Sequence, residues 1–160
     1  MENRFETFTV LMNRINRNIR KIKNREMEEY HLRSVHISCL YYLYNNKGAT
    51  ATELCERCEE DKATISRALE YLEANGYLVC ESKNVKRYRS PLLLTEKGGI
   101  VGKKIDDKIK AMLDDISTGL TEDERIAFYR SLSIISASLE NYANKTTQKI
   151  GKEDVVDEQS

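Results

Sequence analysis

Two helix-start signals stand eleven residues apart in this chain, at Thr50 and Asp61, and a helix stop follows them at Asn75-Gly76. Thr50-Ala51-Thr52-Glu53 has capping-box spacing, in which the Thr50 hydroxyl accepts from the Glu53 amide and the Glu53 carboxylate reaches back. The helix it opens must be short, ending near Cys58, because Asp61 caps the next one. Ile65, Leu69 and Leu72 give that next helix an inward side, and Gly76 supplies a left-handed stop without Cβ strain. Tyr77 to Glu81 then reads as a strand, Ser82 to Val85 as a polar tip, and Arg87 to Leu94 as a return strand. Pro91 removes a ladder donor, so the return strand should be shortened or irregular around it. Two stacked helix starts followed by a basic hairpin fit a helix-turn-helix with a β-wing, an arrangement suited to the groove and phosphates of duplex DNA.

Helices are expected on both sides of this unit. Over residues 7–29, Phe8, Met12, Ile15, Ile19 and Ile22 recur at four- and three-residue steps, and a narrow apolar stripe of that kind needs a partner helix. Ser34 is the expected N-cap of a second helix through Asn45, apolar almost all round and therefore central. Thr95 or Glu96 opens another, to about Thr118, with Gly98, Gly99 and Gly102 weakening its first turns. Thr121-Glu122-Asp123-Glu124 is a second capping box, and Phe128, Leu132, Ile135, Leu139 and Tyr142 stripe the last helix. That helix is expected to fade near Asn144 and the polar tail after Lys145 to be disordered.

One Pro, seven Gly and 32% charged residues in 160 suit a helix-rich protein with one real core. No apolar run approaches ~18 residues and no apolar h-region follows Met1, so the expected setting is cytoplasmic, with no membrane contact. The net charge of +0 does not favour nucleic acid, but the signs are segregated. Arg14, Arg17, Arg20, Lys21, Lys23 and Arg25 form one basic run, while acid gathers at Glu53 to Asp61, Asp106 to Asp115 and after Lys152.

On the helix opened by Lys62, a turn of about 100° per residue puts Ala63, Ser66, Arg67 and Glu70 opposite the buried side, with Thr64 at the margin. Arg67 is the candidate for a bidentate contact to guanine; Ser66 and Thr64 could touch base edges or phosphate, and the Ala63 methyl a thymine methyl. Glu70 would pair with Arg67 or face a cytosine amine. Lys83, Lys86, Arg87 and Arg89 on the hairpin could reach backbone or minor groove, and Thr50 and Thr52 offer donors to phosphate. The plainer reading of the helix is a solvated face. A competing one is a winged helix that docks a protein and ignores DNA, which the acidic Glu53–Asp61 segment favours.

Cys39, Cys55, Cys58 and Cys80 are expected as thiols. Cys55-x-x-Cys58 has no second pair to complete a zinc site, and a disulfide between adjacent turns would constrain little. Cys39 reads as core, and a thiol redox role is a third reading of the chain. Tyr30, His31, Arg33, His36 and Tyr41 cluster around the junction of the first two helices, either as a packed joint or as a pocket for a small anionic or phenolic effector. There is no Gly-rich phosphate loop, nucleophile elbow or zinc-protease histidine spacing, so no catalytic residue, cofactor or metal is assigned.

These motifs resemble the MarR family of bacterial transcription regulators from about Phe8 to Tyr142. Asp61-Lys62-Ala63-Thr64-Ile65-Ser66-Arg67 and Leu72-Glu73-Ala74-Asn75-Gly76-Tyr77-Leu78 look like the family's recognition helix and its exit. Leu94-Thr95-Glu96-Lys97-Gly98 looks like its wing-to-helix junction, and Leu120-Thr121-Glu122 like the start of its last helix. The resemblance implies a mainly α fold: a winged helix-turn-helix with a small β-hairpin wing and a helical dimerisation region from both termini. It divides the chain into a dimerisation helix (1–33), a DNA-binding lobe (34–98), completing helices (99–145) and a tail (146–160). Phe8, Met12, Ile15 and Ile19 would join Phe128, Leu132, Ile135 and Leu139 in a homodimer. The homodimer would bind a pseudo-palindromic operator, usually as a repressor that a small ligand or oxidant releases. The wing here lacks the family's usual acids, His36 stands where Gln is common, and no cysteine precedes Cys39. Nor is there a histidine between Thr95 and Thr118.

Overall fold

The structure, a computed structural model, describes residues 4–80 and 90–153. Among them the order is α1 (Arg4–Glu26), a 3-10 turn (Glu28–Tyr30), α2 (Ser34–Asn45), α3 (Ala51–Cys58), α4 (Lys62–Ala74), β1 (Leu78–Cys80), β2 (Leu92–Leu94), α5 (Glu96–Ile116) and α6 (Glu122–Glu153). The chain forms two units that part between Ala111 and Met112.

The first unit is built on α2. Ile37, Cys39, Leu40 and Leu43 are buried along it, and α3, α4 and β2 pack around it. Leu54 of α3, Ile65, Leu69 and Leu72 of α4, and Leu78 and Leu92 of the hairpin complete the core with Val101 and Ile105 of α5. Each fully buried Leu or Ile contributes roughly 1.5–3 kcal/mol over an exposed one, so α4 is held firmly by its inward side. The strands pair antiparallel in the register Leu78↔Leu94, Val79↔Leu93, Cys80↔Leu92. Described pairing on the return strand begins only after Pro91, as its missing donor requires.

Three helix boundaries differ from the sequence reading. α1 stops at Glu26 rather than about residue 29, because Glu28–Tyr30 tightens to a 3-10 turn and His31 turns left-handed at φ 54°. The N-cap of α2 is Arg33, not Ser34: the Arg33 amide donates to His36 Nδ1 at 3.1 Å, and the Ser34 amide donates to Asn24 Oδ1 at 2.8 Å. α6 runs to Glu153, beyond the expected end near Asn144; no Pro falls within it and Gly151 is its only glycine.

The glycines at the start of α5 are there for contact. A Cβ on Gly102 would come 2.9 Å from the Tyr44 Cβ, so its absence lets α5 lie directly on α2. Asp106, buried one turn further on, ties the same two helices, accepting from Asn45 Nδ2 at 3.3 Å and from Lys110 Nζ at 2.6 Å. Close helix packing of this kind outweighs the weak helix propensity of Gly.

In the second unit, Thr121 and Glu124 form the anticipated capping box: the Thr121 amide donates to Glu124 Oε2 at 2.8 Å and the Glu124 amide to Thr121 Oγ1 at 3.3 Å. No helix among the described residues is long and apolar enough to cross a membrane.

Candidate nucleic-acid interface

Helix α3 starts as its sequence dictates. The Thr50 amide donates to Glu53 Oε2 at 2.7 Å, the Thr50 hydroxyl to the same oxygen at 2.9 Å, and the Glu53 amide returns to Thr50 Oγ1 at 3.3 Å. These bonds hold the Glu53 carboxyl below its ordinary value. They also engage both Thr50 donors, so Thr50 serves the cap, and Thr52 is the exposed threonine of this turn.

Helix α4 starts on Asp61, whose Oδ1 accepts from the Thr64 amide at 2.8 Å and whose Oδ2 accepts from the Thr64 hydroxyl at 2.9 Å. The amide bond and then the hydroxyl bond depress the Asp61 carboxyl, which stays ionised beside the positive end of the helix. With Ile65, Ala68, Leu69 and Leu72 buried, the helix presents Lys62, Ala63 and Arg67 to solvent, while Thr64 and Ser66 are half-buried. The Arg67 guanidinium donates to Thr64 Oγ1 at 3.4 Å, a bond long enough to yield to a better acceptor. Ser66 Oγ donates to Glu70 Oε1 at 3.3 Å. The face therefore offers one cation with two mobile hydroxyls and a methyl beside it, a set that matches base edges in a major groove.

Asn75 and Gly76 (φ 72°) turn the chain out of α4, and Thr95 Oγ1 donates to the Gly76 carbonyl at 2.7 Å while accepting from the Gly98 amide at 3.1 Å. One threonine thus caps α5 and fastens the end of α4 to the base of the hairpin. Lys83, Lys86, Arg87 and Arg89, expected at the hairpin tip, lie outside the described residues.

The five residues expected in an effector pocket are not brought together. His31 and Arg33 line an open cavity of about 540 Å³ with Lys21, Asn24, Arg25, Glu28 and Leu32. Tyr30 turns away, its hydroxyl accepting from Lys104 Nζ at 2.6 Å. His36 is buried and stacks on Tyr71, with ring centres 4.4 Å apart and planes 3° from parallel. Burial, and then the Arg33 charge, push its pKa down, so the ring is neutral and free to accept at Nδ1. Tyr41 packs edge-on against Tyr42 at 5.3 Å. Spacing along the chain could not separate these directions, because the left-handed His31 and the 3-10 turn reverse the path between α1 and α2. Lys21, Asn24 and Arg25 were missed for the same reason: on sequence they read only as the polar side of α1.

The apolar stripes of the long helices lie open in part. On α1, Val10, Leu11 and Ile15 are nearly half exposed, while Phe8, Met12 and Ile19 are half-buried. On α6, Phe128, Ile135 and Leu139 are exposed and Leu132 half-buried, with Ile126, Tyr129, Ile134 and Tyr142 also open. Among the described residues no three His, Cys, Asp or Glu side chains converge as a metal set would.

Two capped helices set at a tight turn, the second with an open polar face, and a hairpin pinned behind them define a winged helix-turn-helix. Residues 32–87 match the model of the MarR family. No curated protein sequence matches the chain. A MarR-family transcriptional regulator from Silicibacter pomeroyi is 28% identical, with 80% of this chain and 86% of that one covered at a TM-score of 0.70. MepR of S. aureus, solved with DNA, is 19% identical over 82% of this chain and 97% of its own at 0.73. A MarR protein from Peptoclostridium difficile is 20% identical over 88% and 92% at 0.78. The chain belongs to the MarR family. It is a DNA-binding winged-helix transcription regulator, not an enzyme.

Proposed function

We propose that the chain is a sequence-specific homodimeric repressor whose two α4 helices read a pseudo-palindromic operator, and which a small anionic molecule releases. The observation that carries the reading is the solvent-facing set Lys62, Ala63 and Arg67 on a helix whose other side is locked in the core. In a dimer the two α4 helices would stand about 34 Å apart and enter successive major grooves on one side of the duplex. Arg67 would read guanine, while Lys62, Thr52 and the wing cations would meet phosphate and add salt-dependent affinity. The half-exposed apolar residues of α1 and of α6 supply surfaces that a second copy would cover.

The cavity at the α1–α2 junction supports the release step. Lys21 and Arg25 come from α1 and Arg33 from the start of α2, three cations against the one carboxylate of Glu28. That balance suits a small carboxylate or phenolate. Such a ligand would bias the angle between α1 and the lobe, and it would weaken operator binding by its differential affinity for the two arrangements.

Selection of bound sequences from a random duplex library tests the function. Two inverted half-sites with centres 10–11 base pairs apart, bound less tightly as salt rises, are expected. Recovery of unselected sequence, with no salt-dependent retention on duplex, would instead favour a module that docks protein.

A further inference from the structure

Where α2 meets α3, two sulfurs face each other. Cys39 is wholly buried in the middle of α2, and Cys58, the last residue of α3, is half-buried. Their side chains share a hydrogen bond across the helix–helix contact. The α1 side chain Lys23 reaches the same place. Its Nζ donates to Ser38 Oγ, next in sequence to Cys39, at 3.0 Å, and its charge acts on Cys58. Burial lowers the pKa of Lys23, as expected for an ammonium drawn under the surface.

The surroundings divide the two thiols into different roles. The hydrogen bond to Cys39, with help from Lys23, pulls the Cys58 thiol down despite its burial. That same hydrogen bond and burial push Cys39 far up, so Cys39 keeps its proton and acts as the donor. Cys55, one turn before Cys58 on the same helix, is raised by burial and by its neighbour Cys58. Nucleophilic sulfur is thiolate, so Cys58 is the reactive member of the set.

We propose that Cys58 and Cys39 form an oxidisable dithiol, with Cys58 attacking a hydroperoxide and Cys39 resolving the product into a disulfide between α3 and α2. In the first step Cys58 Sγ attacks the peroxide, an S–O bond forms as O–O breaks, and the leaving oxygen departs as water after taking a proton. The Cys39 sulfur then attacks Cys58 Sγ; S–S forms, S–O breaks, and the released hydroxide takes the Cys39 proton. Two thiols lose two electrons and hydrogen peroxide is reduced to two waters. Unlike a Cys55–Cys58 bridge within one helix, this link would pin α3, and with it the turn into α4, against α2. The inference rests on the sulfur placement and holds whether or not the chain binds an operator.

The test uses the full chain, hydrogen peroxide and non-reducing peptide mapping by mass spectrometry. The expected result is a loss of ~2 Da with Cys39 and Cys58 in one cross-linked peptide pair, and Cys55 and Cys80 still alkylatable. Cys55→Ser should oxidise in the same way and Cys58→Ser should lose the reaction. Cys39→Ala, if it keeps the wild-type circular dichroism, should accumulate a Cys58 sulfenic acid that dimedone traps. A Cys55–Cys58 bridge, or oxygen addition at any cysteine of the wild-type chain without a Cys39–Cys58 link, would overturn the proposal. The wild-type map decides by itself should the buried substitution fail to fold.

Discussion

The backbone carbonyl of Tyr77 fills the space that a side chain on residue 98 would need: a Cβ built on Gly98 would lie 1.8 Å from that oxygen. The same carbonyl accepts from the Thr95 amide at 3.1 Å, so it cannot swing aside without breaking the junction between hairpin and α5. Gly98→Ala must therefore push α5 off the hairpin. A loss of ~1–3 kcal/mol or more in urea unfolding is expected. A wild-type midpoint would mean that the junction yields freely.

The caps of α3 and α4 set an acid limit. Glu53 and Asp61 are held below their ordinary values of 4.5 and 3.8. As pH falls, the unfolded chain takes up these protons before the folded one does. The stability the caps provide above those values therefore drains away as pH drops through the depressed folded values. Asp61→Asn keeps a good N-cap that does not titrate. Its urea midpoint should fall less steeply than that of the wild type between about pH 5 and about pH 3. Parallel curves would show that Asp61 contributes no linkage.

His36 acts in a higher window. Its folded pKa lies below the ordinary 6.5, so beneath that pH the unfolded chain binds a proton that the buried ring refuses. Stability is full above 6.5 and declines as pH falls toward the depressed folded value. His36→Gln keeps an acceptor for the Arg33 amide and should remove this slope, read as the difference in urea midpoint between about pH 7.5 and about pH 5.5. An unchanged difference would place the titration elsewhere.

Leu139 is 55% exposed on α6. If a second copy covers it, Leu139→Lys should weaken association by about 3–6 kcal/mol, counting one lost contact from each copy. Sedimentation at micromolar concentration should then show a protomer of unchanged helicity. A persistent dimer would exclude this part of α6 from the interface.

Local chemistry was the legible part of the chain. The caps at Thr50, Asp61 and Thr121, and the stop at Gly76, depend on residues within four positions of each other, and each formed as its sequence requires. Tertiary contact was not legible. Gly98 and Gly102 read as weak helix formers, yet they are sites of close approach to Tyr77 and Tyr44. Ser34 read as the cap of α2, but the acceptor is the ring nitrogen of His36, made available by burial against Tyr71. Cys39 read as core, and it is core; its bond to Cys58 joins two helices that no spacing rule relates. The outward face of α4 followed from the 3.6-residue period alone, because three large apolar side chains fix which side is inward.

Arg67 is the residue on which the account turns. Titration of wild type and Arg67→Ala against a duplex bearing the selected site, and against the same duplex with the contacted guanine replaced, tests it directly. The account predicts that Arg67→Ala loses ~1–3 kcal/mol on the intact site and no longer distinguishes the two duplexes. Equal affinity of both proteins for the intact site would contradict it.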